Sequence, residues 1–218
     1  MTHIAVIDYG MGNLHSVAKA LEHAASQGNF KNTKITVAND AKTILNADKI
    51  LLPGVGAMRD CMGEMQRLEL IDLITETSNS KPFLGICIGM QALMSKSQEN
   101  NGVDCLNIIP GSVEHFDFSA DQNLPLLKIP HMGWNQVEQQ NSEHKMWKNI
   151  PQNQRFYFVH SYYVQPSDAT PIAASTIYGK EFTSALAVDN IFAVQFHPEK
   201  SADAGLQLFS NFIGWDGS

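Results

Sequence analysis

Lys81-Pro82-Phe83-Leu84-Gly85-Ile86-Cys87-Ile88-Gly89-Met90-Gln91-Ala92-Leu93-Met94 decides how this chain is read. Lys81–Leu84 is an apolar run that reads as a short buried strand, and Ala92–Met94 reads as a helix. Between them stands Gly85-x-Cys87-x-Gly89, the cysteine form of a strand–turn–helix nucleophile elbow. The glycines permit a sharp turn and leave room for close neighbours. Cys87 is then held strained and exposed at the carboxyl end of a strand. The start of the next helix faces the sulfur and favours thiolate over thiol. The amide of Ile88 is placed to stabilise an oxyanion. A lone cysteine in an apolar segment is otherwise a small buried hydrophobe, which is how Cys61 and Cys105 read.

A nucleophilic cysteine needs a base, and the base needs a third group to fix its tautomer. Near the other end of the chain runs Ile191-Phe192-Ala193-Val194-Gln195-Phe196-His197-Pro198-Glu199. The stretch to Phe196 is apolar and β-prone, so it reads as a buried strand with His197 at its end. Pro198 stops the strand, and Glu199 is near enough to orient the imidazole. Taken alone, His197 is equally a strand-end histidine and Glu199 a solvated charge.

The chain has 218 residues, 44% hydrophobic and 17% charged, enough for a sizeable core in a single domain spanning 1–218. A net charge of −7 disfavours nucleic acid or an anionic membrane as the main partner. Three cysteines without framework spacing fit a reducing compartment. Met1–Asp8 lacks the basic start and long apolar core of a signal peptide, and no apolar run approaches membrane length. A cytoplasmic location is therefore expected. The eight histidines are dispersed without ligand spacing. Gly10–Gly12 is too short a signal for a phosphate-cradling loop. No metal and no cofactor are expected.

From the start, His3–Ile7 reads as a strand and Gly10–Asn13 as a turn. Leu14, Val17, Ala18, Leu21 and Ala25 then recur at helical spacing. Lys34–Ala38 is a second strand, Asp40–Ala47 a short helix and Ile50–Leu52 a third strand. Met58–Thr77 is helical, with a break near Leu68. Strands alternating with helices predict an α/β fold with a mainly parallel central sheet flanked by helices. From about Leu106 the texture changes to short strands at Ile108-Ile109, Val113, Leu126-Leu127, Val137, Phe156–Val164, Ile172–Ile177 and Ser184–Val188. This predicts an antiparallel section inserted before the chain returns to the main sheet at Phe192. The last helix, about Ala202–Ile213, carries a core stripe of Leu206, Leu208, Phe209 and Phe212. Ser119–Asn123 is polar and reads as a surface loop. Sites in such sheets lie at the carboxyl ends of strands. Pro53–Gly56, Cys87 and His197 all fall there. Pro53-Gly54-Val55-Gly56 is either a plain turn or a flexible loop whose Val55 amide serves as a second oxyanion donor.

The elbow, the Pro-Gly-Val-Gly loop and the His-Pro-Glu end resemble the class I, triad-type glutamine amidotransferases, whose fold is flavodoxin-like. Asp8-Tyr9-Gly10-Met11-Gly12-Asn13-Leu14, Pro130-His131-Met132-Gly133-Trp134-Asn135, Tyr157-Phe158-Val159-His160-Ser161-Tyr162-Tyr163 and His197–Ser201 narrow the resemblance to the glutaminase-subunit family of imidazole glycerol phosphate synthases. It covers about Ile4 to Phe212. The departures are small. Ile88 stands where Leu is more usual, and Ser119–Asn123 is longer than expected.

The resemblance implies that Cys87 attacks the side-chain amide of glutamine, His197 shuttles the proton and Glu199 orients His197. It implies that Gln91 and the backbone around Gly54, Gly56, Ser161 and Tyr162 hold the substrate. The ammonia passes to a (β/α)8 cyclase partner, with which the chain forms a heterodimer. Asn13, Trp134, Tyr157 and Lys200 match positions facing that partner. Without the resemblance they read as a helix-start Asn, two buried aromatics and an exposed Lys. It further implies that the Val55 amide points away until the partner binds its nucleotide. A flip that completes the oxyanion hole is worth about 100- to 1000-fold in rate, and a β-branched residue at Gly54 is expected to disturb it. Three other functions compete: a glutaminase serving another synthase such as one in cell-surface sugar modification, which the catalytic residues cannot separate; a stand-alone cysteine γ-glutamyl hydrolase, which would not need the His131–Asn135 block; and a non-catalytic binding module, against which the intact Cys87, His197 and Glu199 argue.

Overall fold

In the computed structural model, which describes residues 1–28, 30–119 and 127–218, the chain begins as an alternation of strand and helix and becomes mostly β in its second half. Strand β1 (Thr2–Ile7) leads through a turn to helix α1 (Leu14–Gln27). Asn13 starts that helix, its side chain accepting from the Ser16 amide at 3.4 Å. Val17, Leu21, Ala24 and Ala25 form the buried stripe. Strand β2 (Thr33–Ala38), helix α2 (Ala41–Leu45) and strand β3 (Lys49–Leu52) follow. The expected break near Leu68 separates α3 (Met58–Arg67) from α4 (Ile71–Ser78), and Glu69 between them has φ +57°. Strand β4 (Phe83–Ile86) then delivers Cys87 to α5 (Ile88–Gln91).

The helix expected at Ala92–Met94 is not there, because α5 ends after one turn. Nor does Ile108-Ile109 form a strand. Both departures have one cause. The carbonyls of Ala92, Leu93 and Met94 accept amides from Leu106, Ile108, Ile109 and Asn107, at 2.8–2.9 Å. The two segments satisfy each other's backbone, so neither needs regular structure of its own.

The remaining elements are β5 (Lys96–Ser97), β6 (Val103–Asp104), β7 (Gly111–His115), β8 (His131–Gln139), β9 (Gln154–His160), β10 (Tyr162–Pro166), β11 (Ile172–Tyr178), β12 (Lys180–Val188), β13 (Ile191–Val194) and α6 (Ala202–Gly214). Among the described residues they join in the order β2-β1-β3-β4-β13-β12-β10-β7-β5-β6. A branch runs from β12 through β11 and β8 to β9. The pairings from β2 to β13 are parallel. From β13 to β12, β10 and β7 they are antiparallel, as are those of the branch. The structure is thus an α/β fold with the expected antiparallel section. The Ser119–Asn123 loop from residue 120 on, and Leu126 of the expected Leu126-Leu127 strand, lie outside the described residues.

Every residue of β3, β4 and β13 is buried, the pattern of parallel strands covered on both faces. In β8 and β9 burial alternates, so one face of that branch is open. Helix α6 packs on α1. Its buried stripe is Leu208, Phe209, Phe212 and Ile213, with Leu206 half-buried. Strands β3, β4 and β13 are neighbours, so Pro53–Gly56, Cys87 and His197 leave one edge of the sheet side by side.

Gly89 packs so closely on the end of β3 that a Cβ there would overlap the Leu52 carbonyl. Gly89→Ala is expected to cost about 2 kcal/mol, a fall of about 4–8 °C in the thermal midpoint. Gly63, inside α3, has open space around it. Gly63→Ala is expected to stabilise by about 0.5–1 kcal/mol. Thermal denaturation of both variants checks the two opposite signs.

Candidate active site

Cys87 has φ +54° and ψ −107°, far from the ordinary regions for a residue with a side chain. The sharp turn is therefore carried by the cysteine itself. Gly85 and Gly89 are not at positive φ; their role is close approach, since a Cβ on Gly85 would come within 2.9 Å of the Gly89 carbonyl oxygen. Such a backbone costs about 1–3 kcal/mol and persists only where its surroundings fix it. Here the Cys87 amide donates to Val194 O at 2.8 Å, and its carbonyl accepts from Met90 and Gln91, both at 3.0 Å. The side chain is 4% exposed and opens into a cavity of about 300 Å³, not onto the surface as the sequence reading expected. With only one turn, α5 supplies its first free amides rather than a full macrodipole.

His197 lines the same cavity. Its Nδ1 lies 2.8 Å from Glu199 Oε1, and both side chains are 1% exposed, so Glu199 is not a solvated charge. Nε2 has no hydrogen-bond partner. Burial works to lower the imidazolium, but the negative forms of Cys87 and Glu199 outweigh it and raise His197 to about 10. The short turn Pro198–Lys200 sets this geometry. Ser201 clamps it: its hydroxyl donates to His197 O at 2.7 Å and accepts from the Tyr157 amide at 3.0 Å. The His197 amide donates to Tyr157 O at 2.9 Å. Gly205 lets α6 close over the turn, where a Cβ would overlap the Pro198 carbonyl.

Gln91 is 2% exposed, and its Nε2 donates to Tyr162 O at 3.0 Å and to Gln195 Oε1 at 2.9 Å. Gln195, fully buried, lies with Nε2 3.6 Å from Cys87 Sγ. No motif marks Gln195 in the sequence; its signal is a long polar side chain after an apolar run, two residues before His197. Glu99 also lines the cavity, and its carboxylate caps α3 by accepting from the Met58 amide at 2.7 Å. Nothing in the spacing of Glu99 marks it.

Val55 and Gly56 line the cavity, with Ile88, Ser161 and Tyr162, but Gly54 does not. Gly56 has φ +103°. A Cβ on Gly54 would collide with the Tyr9 hydroxyl and come 2.7 Å from Ile88 Cβ. Gly54 is thus required for packing, and a β-branched residue there would report on that clash rather than on a peptide flip. The peptides on either side of Gly54–Val55 are pinned: Tyr9 Oη donates to Pro53 O at 2.7 Å, and Cys61 Sγ to Val55 O at 3.7 Å. Burial pushes the thiols of Cys61 and Cys105 up to about 11 and about 12, in keeping with their reading as inert.

Of the four residues assigned to a partner face, two are not the buried aromatics of the plain reading. Trp134 is 49% exposed and Tyr157 half-buried, in edge contact at 6.2 Å between ring centroids. Lys200 Nζ lies 5.8 Å over the Tyr157 ring. Met132, two residues before Trp134 on β8, is 62% exposed. Asn13 is exposed at the start of α1, which packs against the Pro198–Lys200 turn. Among the described residues, no group of three or more His, Cys, Asp or Glu is placed to hold a metal, and no helix is long and apolar enough to cross a membrane.

Residues 5–214 match the family model of class-I glutamine amidotransferases. A relative from Hydrogenovibrio crunogenus, the imidazole glycerol phosphate synthase subunit HisH, is 55% identical over 98% of this chain and 97% of its own. The HisH 1 subunit of Pseudomonas aeruginosa is 52% identical over 100% of this chain and 99% of its own. A solved structure from Thermotoga maritima, described as a glutamine amidotransferase, superposes with a TM-score of 0.58 at 18% identity, covering 91% of this chain and 76% of that one. That likeness concerns the fold. The match to the family model across nearly the whole length, and relatives at more than half identity from end to end, place this chain in the class-I glutamine amidotransferase family.

Proposed function

We propose that this chain is the glutaminase subunit of an imidazole glycerol phosphate synthase, a single domain over 1–218 acting in the cytoplasm. The observation that carries the reading is the strained Cys87 sharing one cavity with a His197 held by a buried Glu199. The relatives named above as HisH subunits supply the synthase.

The Cys87 thiolate attacks the side-chain amide carbon of glutamine. The oxyanion is received by the amides of Ile88 and Val55. The His197 imidazolium gives its Nε2 proton to the leaving nitrogen, and ammonia departs from a thioester. Neutral His197 then takes a proton from water, which attacks the thioester, and glutamate leaves as Cys87 is restored. Glu199 holds Nδ1–H throughout, which keeps Nε2 as the working nitrogen. The raised imidazolium of His197 suits its task of holding the proton that the leaving nitrogen takes. Gln91 and the walls at Gly56, Ser161 and Tyr162 hold the substrate, and Gly54 supports the loop from behind. The ammonia passes to a (β/α)8 cyclase bound over Asn13, Trp134, Tyr157 and Lys200. That cyclase turns it into imidazole glycerol phosphate and an aminoimidazole carboxamide ribotide in histidine biosynthesis. The exposed apolar pair Met132 and Trp134 favours a partner-dependent glutaminase over a stand-alone hydrolase.

Cys87→Ala is expected to lower glutamate release by about 10⁴-fold or more. The same change removes the strongest attraction that raises His197 and leaves burial, which lowers it. Its pKa, about 10 in the native chain, therefore falls, and an NMR titration of the His197 ring reads the change. Retained activity in this variant would sink the nucleophile assignment.

Glu199→Gln keeps the shape but can turn an N–H toward Nδ1 and favour the wrong tautomer. A fall in kcat of about 10²- to 10⁴-fold is expected, with KM moved by less than about threefold. Steady-state kinetics on glutamine separate the two constants.

Glutamate release by the purified chain is expected to be low alone. Adding the cyclase with its nucleotide ligand should raise it by about 100-fold or more. Full activity alone, indifferent to the cyclase, would replace this reading by that of a free-standing hydrolase.

A further inference from the structure

Two histidines outside the triad are buried and joined. His131 opens β8 and is 3% exposed; His160 closes β9 and is 6% exposed. They face each other across the two strands, with His131 Nδ1 2.9 Å from His160 Nε2. At one end, His160 Nδ1 lies 2.7 Å from Tyr162 O. At the other, His131 Nε2 lies 3.3 Å from Asn135 Nδ2.

The protons in this chain can be placed from both ends. Tyr162 O can only accept, so His160 carries its proton on Nδ1 and presents a lone pair at Nε2. His131 Nδ1 must then be the donor, which leaves a lone pair at His131 Nε2. The Asn135 end agrees. Its Nδ2 also donates to Ile177 O at 2.9 Å, and its Oδ1 accepts from the Gln136 amide at 2.8 Å, which fixes the amide orientation. Nδ2 therefore donates to His131 Nε2. Burial lowers both imidazoles, to about 4 for His131 and about 3 for His160, so both are neutral at ordinary pH.

The chain does not stop at Tyr162. Its carbonyl also accepts from Gln91 Nε2, which reaches Gln195 Oε1, and Gln195 Nε2 lies beside Cys87 Sγ. The hydrogen bonds thus run from Asn135, next to the exposed Trp134, to the wall of the cavity that holds the cysteine. We propose that His131 and His160 are positioning residues for glutamine: a rod of fixed hydrogen-bond polarity that holds the Tyr162 carbonyl, the Ser161–Tyr162 wall and the Gln91 amide where the substrate is received. This rests on the reading of the cavity as a glutaminase site around Cys87. Neither histidine touches the reacting atoms.

The test is steady-state glutamate release by the full chain mixed with the cyclase and its nucleotide ligand. His131→Phe keeps the stacking on Phe158 and Tyr178 but removes both ring nitrogens. It is expected to raise KM for glutamine about tenfold and to change kcat by less than about threefold. Alkylation of Cys87 by iodoacetamide, followed by mass spectrometry of its peptide, should stay within about twofold, because the Cys87 backbone is held by Val194 O and by the amides of Met90 and Gln91 rather than by the two histidines. His131→Asn places an amide donor where Nδ1 stood and is expected to bring KM back to within about threefold of the native value. A native KM in His131→Phe, a joint fall in kcat and alkylation, or no recovery in His131→Asn overturns the proposal. Should His131→Phe not fold, Asn135→Ala decides. It removes only the outer donor and is expected to raise KM about threefold, and an unchanged KM there is equally fatal. Failure of the underlying glutaminase reading would show elsewhere, as glutamate release surviving Cys87→Ala.

Discussion

The hydrogen bond from the Cys87 amide to Val194 O is the contact on which the site depends. It continues the parallel ladder of β4 and β13 one step past the Ile86–Val194 pair. Cys87 therefore leaves the sheet level with Gln195, two residues before His197. On the other flank, the Leu52–Gly85 pair fixes the end of β3. Two residues beyond it stand Gly54 and Cys87. Register alone thus brings the cysteine, the base and the glycine loop together, with no need for their side chains to find one another. A slip of one residue in either ladder would turn every side chain of that strand to the opposite face.

That arrangement demands a rigid support, and the packing supplies it. The elbow stores about 1–3 kcal/mol in the Cys87 backbone, which a loosely held loop would release by relaxing. It cannot relax here, because β3, β4 and β13 are buried throughout and α5 is pressed onto the Leu52 carbonyl at Gly89. The His197 side is fixed by a different device. Ser201 bridges His197 O and the Tyr157 amide, and α6 closes on Pro198 at Gly205. Tyr157 thus ties the base to β9, whose open face carries the exposed aromatic edge. Any partner that moved Tyr157 would press directly on the support of His197.

The parallel half of the fold was legible because its signals are local. Buried runs such as Ile50–Leu52 and the period of Val17, Leu21 and Ala25 each report their own element. The elbow was legible for the same reason, as a short motif with glycines at fixed offsets. What escaped depends on distant partners. Residues 92–94 have helix-forming composition, yet the amides of 106–109 take their carbonyls. Gln195 is part of the site only because β13 lies beside β4. Close approach accounts for Gly85 and Gly89, as the elbow motif allows, whereas the packing role of Gly54 against Tyr9 and Ile88 depends on segments distant in the chain. The pairing of His131 with His160 needs the β8–β9 register, which nothing local in either motif specifies.

The cavity also shows how one residue type is given two opposite tasks. His160 and His197 both line it and both are nearly inaccessible. Burial pushes each imidazole toward neutrality. His160 meets a backbone carbonyl and a second imidazole, neither of which repays the loss of hydration, and it falls to about 3. The positive charge of His197 lowers it further. His197 meets Cys87 and a buried carboxylate, and their charge reverses the sign, carrying it to about 10. At neutral pH one histidine is a fixed donor–acceptor and the other a stored proton. Each protonation state helps the other, because a second imidazolium in so small a volume would repel the first. A neutral His131–His160 pair therefore adds no second positive charge to the cavity that His197 shares with Cys87.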